Sequence, residues 1–357
     1  MSDSDRPDEP GVPSSARMLS PARLVAFAVV LVIAGAAATA FLVTRAREHA
    51  KAERVAAGAE RSEPVLDLAT VRAVPHVVFR NTAPGPSNGK VAMVPLDRPD
   101  GPRAFGPTGC ERVYATADVG LCLTADRGVV TTYHGVILDG QLRPVRKFPT
   151  SGGPSRARVS ADGRYAASTG FVAGHSYAAA SFSTATEIYQ TDTGHSLGNL
   201  ETFRIIRDGR TYTNADINFW GVTFAADDQT FYATLGSGGH TYLVRGDLAR
   251  REVTTLRTNA ECPSLSPDGR HLVYKKRTGG PRMWRLTSLD LATGVETPLP
   301  EQRSVDDQVA WLDDSHVLYA VPRDTAGLAR PDIWVSPLSG GSPRLFVPDA
   351  ESPSVVR

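Results

Sequence analysis

One turn recurs along this chain, and it constrains the fold more than any other feature. Residues 264–274 (Ser-Leu-Ser-Pro-Asp-Gly-Arg-His-Leu-Val-Tyr) read as strand, two-residue turn, strand. Asp268-Gly269 supplies the positive φ that a tight hairpin needs. The same frame returns around Asp162, Asp227 and Asp313, and in worn form around Asp118. The gaps between these aspartates are 44, 65, 41 and 45 residues. Each gap suits four short strands with their turns, the content of one propeller blade. A third alternating strand follows the hairpin, as at 241–247, 282–291 and 332–338, and a fourth, edge strand comes next. The longest gap holds an Ala/Ser/Thr-rich insertion around 171–186, expected to form an elaborated loop or a lengthened hairpin.

A second pattern joins the two ends of this region. Ala260-Glu261-Cys262-Pro263-Ser264-Leu265 opens one repeat, and Ala350-Glu351-Ser352-Pro353-Ser354-Val355 stands near the end of the sequence without a hairpin partner. Segments 76–80, 90–94 and 103–105 supply three strands that lack an inner one. If the last strand joins them, a sixth blade is complete and an open sheet edge is closed. The expected fold is therefore all-β: a six-bladed β-propeller over 64–357, closed by the C-terminal strand. The 32 glycines and 26 prolines agree, being too many for a helical bundle and natural for short strands joined by turns.

The pattern resembles the TolB-like, WD40-like propeller family, whose repeats carry Ser-Pro-Asp-Gly between the first and second strands. Residues 266–269 match it fully, and 160–163 keep Ser, Asp and Gly with Ala161 in place of Pro. The turns at Asp227 and Asp313 keep the aspartate and replace Gly with Asp. The resemblance implies a six-bladed propeller, export across a membrane, and protein–protein contact as the usual role. The chain departs from TolB in carrying an apolar N-terminal segment and in lacking an additional N-terminal α/β domain.

That segment, 24–43, holds 20 residues without a charge, enough to cross a bilayer core of about 30 Å as a helix. It is read as a transmembrane helix or signal anchor; a cleaved signal peptide ending near Ala38-Thr39-Ala40 is the alternative. Residues 1–23 read as a disordered cytoplasmic tail and 44–63 as a polar stalk. Arg45, Arg47, Lys51 and Arg54 after the segment outnumber Arg17 and Arg23 before it, which favours an inside C-terminus. A cytoplasm-facing sensor domain therefore stays open. The expectation is nonetheless a single-pass cell-membrane protein with an extracytoplasmic propeller, because long domains translocate largely regardless of flanking charge and the resemblance implies export.

Little in the sequence promises chemistry. With 39 Lys plus Arg against 38 Asp plus Glu there is no bulk field to recruit nucleic acid. Gly85-Pro86-Ser87-Asn88-Gly89 fits the nucleophile-elbow pattern but sits between two short strands instead of between a strand and a helix. The eight histidines show no paired metal-ligand spacing. No catalytic residue and no cofactor is assigned, and the expected role is a non-enzymatic binding or scaffolding module for an unknown protein partner. The alternative is a ligand- or carbohydrate-binding or lyase-like propeller that uses channel residues.

Two sets of residues are singled out. Seven positions before each turn aspartate stand Glu111, Ser155, Trp220, Glu261 and Asp306, with Glu351 at the closing strand. Inner strands of a propeller run the same way, so one register would place these side chains, with Asp216 nearby, around one channel mouth. A carboxylate ring there suits calcium or a basic peptide, and Trp220 would add an aromatic contact; the plainer alternative is polar, solvated blade-opening loops. Trp284, Trp311 and Trp334 are expected to pack between blades. Cys110 and Cys122 flank the worn hairpin and could bond in an oxidising compartment or simply pack as two small core side chains. Cys262 is left as a buried thiol.

Overall fold

A computed structural model describes residues 65–172, 183–279, 284–323 and 330–357, together with most of 25–44. The described residues of 25–44 are helical. No helix among the described residues is long and apolar enough to cross a membrane. Several positions of the apolar segment, the 1–23 tail and all of the 44–63 stalk except Thr44 lie outside the described residues.

Six sheets follow one another around a ring. Blade 1 takes its inner strand from Ala350–Val356 and its others from His76–Asn81, Lys90–Pro95 and Ala104–Gly109. Blade 2 opens with Arg112–Ala115, blade 3 with Gly153–Val159 and blade 4 with Asn218–Phe224. Blade 5 opens with Glu261–Leu265 and blade 6 with Ala310–Asp313. The closure expected from the duplicated Ala-Glu-x-Pro-Ser segment is present: Val77 faces Val355 and His76 faces Val356 in antiparallel register. Ser354 Oγ then accepts the Ala115 N–H at 3.0 Å, binding blade 1 to blade 2.

Each blade is sandwiched between two others, so its central strands are apolar on both faces and alternate in destination. In His76–Asn81, Val77 and Phe79 enter the cluster shared with blade 6, whereas Val78 enters the one shared with blade 2. In His271–Arg277, Leu272 and Tyr274 pack toward blade 4 and Val273 toward blade 6. Six such clusters lie between the six blades. Each fully buried Val, Leu or Phe contributes on the order of 1.5–3 kcal/mol.

The hairpins at 160–165, 225–230 and 266–271 are wider than the two-residue turn read from the sequence, whereas Asp313 pairs with His316 across two residues as expected. Ser266 N–H donates to His271 O at 2.8 Å, and Gly269 N–H to Ser266 O at 2.9 Å, so the chain reverses over Pro267, Asp268, Gly269 and Arg270. Gly269 does hold a positive φ of 70°, as Gly163 does at 74°. The aspartate has a separate duty. Asp268 Oδ1 accepts the Arg270 N–H at 3.0 Å and the Ser266 hydroxyl at 2.6 Å. Asp162 repeats both bonds, Asp227 takes the amides of Gln229 and Thr230, and Asp313 takes that of Ser315. An acceptor for turn amides is needed whichever residue follows, which explains why Asp persists where Gly is lost.

The insertion has two parts. Blade 3's second and third strands are lengthened, pairing out to Val172 opposite Ser183, with 173–182 outside the described residues. Farther on, Arg204–Arg207 adds in parallel to the outer strand of blade 4, Glu252–Thr258, with Arg210–Thr211 beyond it. This ribbon was not foreseen; it covers what would have been an exposed edge. Cys110 and Cys122 are disulfide-bonded with Cα atoms 5.5 Å apart, tying the entry into blade 2 to its second strand, and Cys262 is a buried free thiol.

Candidate functional site: the central channel

All six inner strands start at one end of the channel, here the entry end, and finish at the other, the turn end. In several of them the pairing slips near the start, between Trp220 and Thr223, between Glu261 and Ser264, and opposite Ser352. Gly221, Cys262 and Ser352, each next to a predicted ring position, hold positive φ values of 68°, 52° and 57°. Bulges of this kind re-aim the side chains around them. Gly221 is also required for space, since a Cβ there would lie 2.7 Å from the Cα of Cys262.

The predicted carboxylates do gather at the entry end, but as ion pairs instead of an open ring. Glu351 receives Arg80 at 2.8 Å and Arg112 at 2.9 Å. Glu111 pairs with Arg127 at 2.7 Å and stands 3.8 Å from Arg80. Glu261, only 2% exposed, accepts Arg277 Nε at 2.9 Å and the Trp284 indole N–H at 3.2 Å, with Lys275 at 3.9 Å. Asp306 takes Lys275 at 2.5 Å and Arg156 at 3.2 Å. Burial opposes the charged form of Asp306, yet Lys275 and Arg156 outweigh it and hold its pKa below the usual carboxylate value. Two of the cations, Arg112 and Arg156, follow an aligned position on an inner strand and reach a carboxylate of another blade, Glu351 and Asp306; the others, Arg80, Arg127, Lys275 and Arg277, come from second strands. Among the described residues no three His, Cys, Asp or Glu side chains come together as a metal site.

Two predicted members do not belong to this mouth. Asp216 turns away to brace a blade 4 hairpin, accepting Ser237 Oγ at 2.5 Å and Gly238 N–H at 2.7 Å. Trp220 is 8% exposed, with its ring close against Gly236, so it packs instead of offering an aromatic surface. Trp284 departs from expectation the other way. Instead of filling an interblade core it stacks beneath Lys275 and Arg277, 4.7 and 5.2 Å from its ring, and donates to Glu261.

The turn end is built differently. A cavity of about 530 Å³ opens there, lined by Tyr114, Arg158, Tyr232, Arg245, Trp311 and the hairpin turns around Ala161, Ala225 and Pro267. Gln308, which lines a separate small cavity of about 20 Å³ together with Arg158, donates its amide to Val222 O at 2.9 Å and Pro263 O at 2.8 Å across the channel. At that depth stands the layer four residues before each turn aspartate: Tyr114, Arg158, Thr223, Ser264 and Val309, with Ser354 from the closing strand. Thr223 and Ser354 hydroxyls accept amides of the next blade. Arg158 is the layer's charged member and reaches across it, donating to Val309 O at 3.0 Å and approaching Ser264 Oγ at 3.5 Å. Its guanidinium lies 4.4 Å over the Tyr114 ring. The alignment that found the carboxylates finds Arg158 when moved three residues along. Seeking clusters of like charge passes over it, because it is the charged residue of its layer.

No protein-family model matches the sequence, and no curated protein matches it. Solved structures do. TolB from Acinetobacter baumannii is similar over 79% of this chain and 67% of its own, with 16% identity and a TM-score of 0.55. A chain of the nidogen/laminin complex is similar over 79% of this chain and 97% of its own, with 11% identity and a TM-score of 0.52. A structure described as a putative TolB from Agrobacterium tumefaciens is 11% identical, over 78% of this chain and 90% of its own, with a TM-score of 0.48. At these identities the likeness is one of architecture: the chain folds as a six-bladed β-propeller of the TolB-like form.

Proposed function

We propose that this chain is a non-catalytic, protein-binding propeller, tethered through 24–43 at the outer face of a membrane, and that it receives its partner at the turn end of the channel. The observation that carries the reading is the contrast between the two ends. Carboxylates at the entry end already hold cations, whereas the turn end offers a recess of about 530 Å³ lined by half-buried Tyr114 and exposed Arg245, with Arg158 and the largely buried Tyr232 and Trp311 also in its lining. Tyr, Trp and Arg are the side chains that most often dominate binding energy, because they bury large surface and keep a polar handle. The Cys110–Cys122 disulfide supports an oxidising compartment, hence an outward-facing propeller.

Photo-crosslinkers placed in intact cells at Ala161 or Pro267, on the recess rim, should trap a protein adduct that the same probe at Glu111 does not. Equal trapping at both ends, or none at the rim, would remove the basis for the reading. Protease added to intact cells should cleave the propeller; protection until lysis would place it inside.

A further inference from the structure

We propose that Arg158 receives a carboxylate from a ligand entering the turn-end recess; this deepens the binding reading above and uses the same site. Arg158 is 5% exposed. Buried charges in proteins are ordinarily paired, since removing an ion from water is costly unless an opposite charge replaces the solvent. At the entry end that rule is kept, with Lys275 placed between Glu261 and Asp306. Arg158 departs from it: among the described residues its protein partners are a carbonyl, a hydroxyl and the face of Tyr114, and its Nε finds no hydrogen-bond acceptor. A guanidinium carries five donors in a planar fork, and Nη2 alone is occupied here. Arg158 is among the residues that line the recess, which is large enough to admit a side chain or a short chain end.

The geometry points to a carboxylate in preference to a phosphate. A carboxylate brings a single negative charge to a guanidinium that has no ion-pair partner among the described residues, and it can accept a charge-assisted hydrogen bond from a donor that Nη2 does not already use. A dianion would also meet Asp227 and Asp268, which line the same recess. The carboxylate could belong to an acidic side chain or chain terminus of a protein partner, or to a free small acid, and the two sources are separable by experiment.

The test uses the full-length protein in detergent, with ionic strength held constant by chloride. Melting temperature is followed against added propionate, against inorganic phosphate, and against an amidated Gly/Ser pentapeptide carrying one Glu, with its Gln counterpart as control. The wild type should be stabilised by propionate or by the Glu peptide. In Arg158→Gln the half-saturating concentration should rise at least about tenfold, the loss expected on removing a charge-assisted hydrogen bond. Stabilisation by the Glu peptide without propionate assigns the carboxylate to a protein; stabilisation by both admits a small acid.

Should Arg158→Gln fail to fold, phenylglyoxal labelling of the wild type replaces it, and peptide mapping should show Arg158 protected by the same carboxylate. Equal stabilisation of wild type and variant, a stronger effect of phosphate, or no protection of Arg158 would overturn the assignment. Carboxylate binding lost in Arg158→Gln alongside an empty crosslinking result at the rim would keep this inference and remove the protein-binding reading. Rim crosslinks without any carboxylate effect would do the reverse.

Discussion

The two ends of the channel are made by the same six strands, only a few residues apart, and they solve the placement of charge in opposite ways. At the entry end every ring carboxylate has a cation within 4 Å, and Lys275, 3% exposed, touches two. At the turn end Arg158 is almost as buried and has a carbonyl and a ring for company. Matched charge fixes a structure without leaving much to give a ligand. An unmatched buried charge costs the empty protein stability and returns it when a counter-ion arrives. The contrast suggests that the entry end holds the ring of blades in register, while the turn end is kept ready.

The largest effect should follow from removing what both ends share. Ala350–Val356 brings Glu351 to one mouth and Val355 and Val356 to the other while closing blade 1. Deleting 350–357 strips an inner strand and opens the ring, so cooperative thermal unfolding should disappear. A deletion variant that melts as the parent does would mean that the closing strand is dispensable, and the two-ended channel with it.

The comparison itself is tested by replacing the two buried cations with the same apolar residue. Lys275→Met leaves Glu261 and Asp306 short of a partner and should cost about 3 kcal/mol, the lower end for breaking a buried pair because Glu261 keeps Arg277 and Trp284. Arg158→Met removes a charge that lacks a carboxylate, so in the absence of ligand it should stay within about 1 kcal/mol of the parent or be more stable. Denaturant titration of both would show it; equal destabilisation would erase the distinction between the ends. The disulfide should weigh about as much as Lys275. Cys110 adjoins Glu111, and its carbonyl accepts Arg80 Nε at 2.6 Å. Opening the short Cys110–Cys122 loop by double Ser substitution should cost about 2–4 kcal/mol, and crosslinks at Glu111 should change more than those at Ala161.

What the sequence made legible follows from what repeats. The aspartates at 162, 227, 268 and 313 recur because each of those hairpins needs an acceptor for its own amides, whereas in blade 2 the Thr116 hydroxyl takes the Val119 amide beside Asp118. The closure was visible because 350–355 copies 260–265. The gathering of Glu111, Glu261, Asp306 and Glu351 was visible for the same reason, whereas their neutralisation was not: Arg277 and Lys275 come from a second strand whose register shifts at a bulge. Trp220 held the aligned position and Asp216 was added for its proximity in sequence; the structure packs Trp220 against Gly236 and engages Asp216 with Ser237 and Gly238, contacts that the repeat pattern does not encode. The Arg204–Arg207 ribbon had no repeat to betray it, since it occurs once and pairs with a strand some 48 residues on.

The smallest expected effect separates the ends by acid. Asp306 has its pKa lowered by Lys275 and Arg156 against the opposing pull of burial. A lowered folded pKa contributes stability that is present above the unfolded value of about 3.9 and is lost as pH falls through the folded one. The Asp306 side chain is 60% exposed, so solvent screens the interaction and the contribution should be well below that of Lys275. Melting temperature measured from pH 6 down to about pH 3 should therefore fall slightly less steeply in Asp306→Asn than in the parent. Arg158→Met should leave that acid slope unchanged, because among the described residues its partners are a carbonyl, a hydroxyl and a ring, with no carboxylate. If Arg158→Met flattened the profile as Asp306→Asn does, Arg158 would already have an acidic partner in the folded chain, and the turn end would be as closed as the entry end.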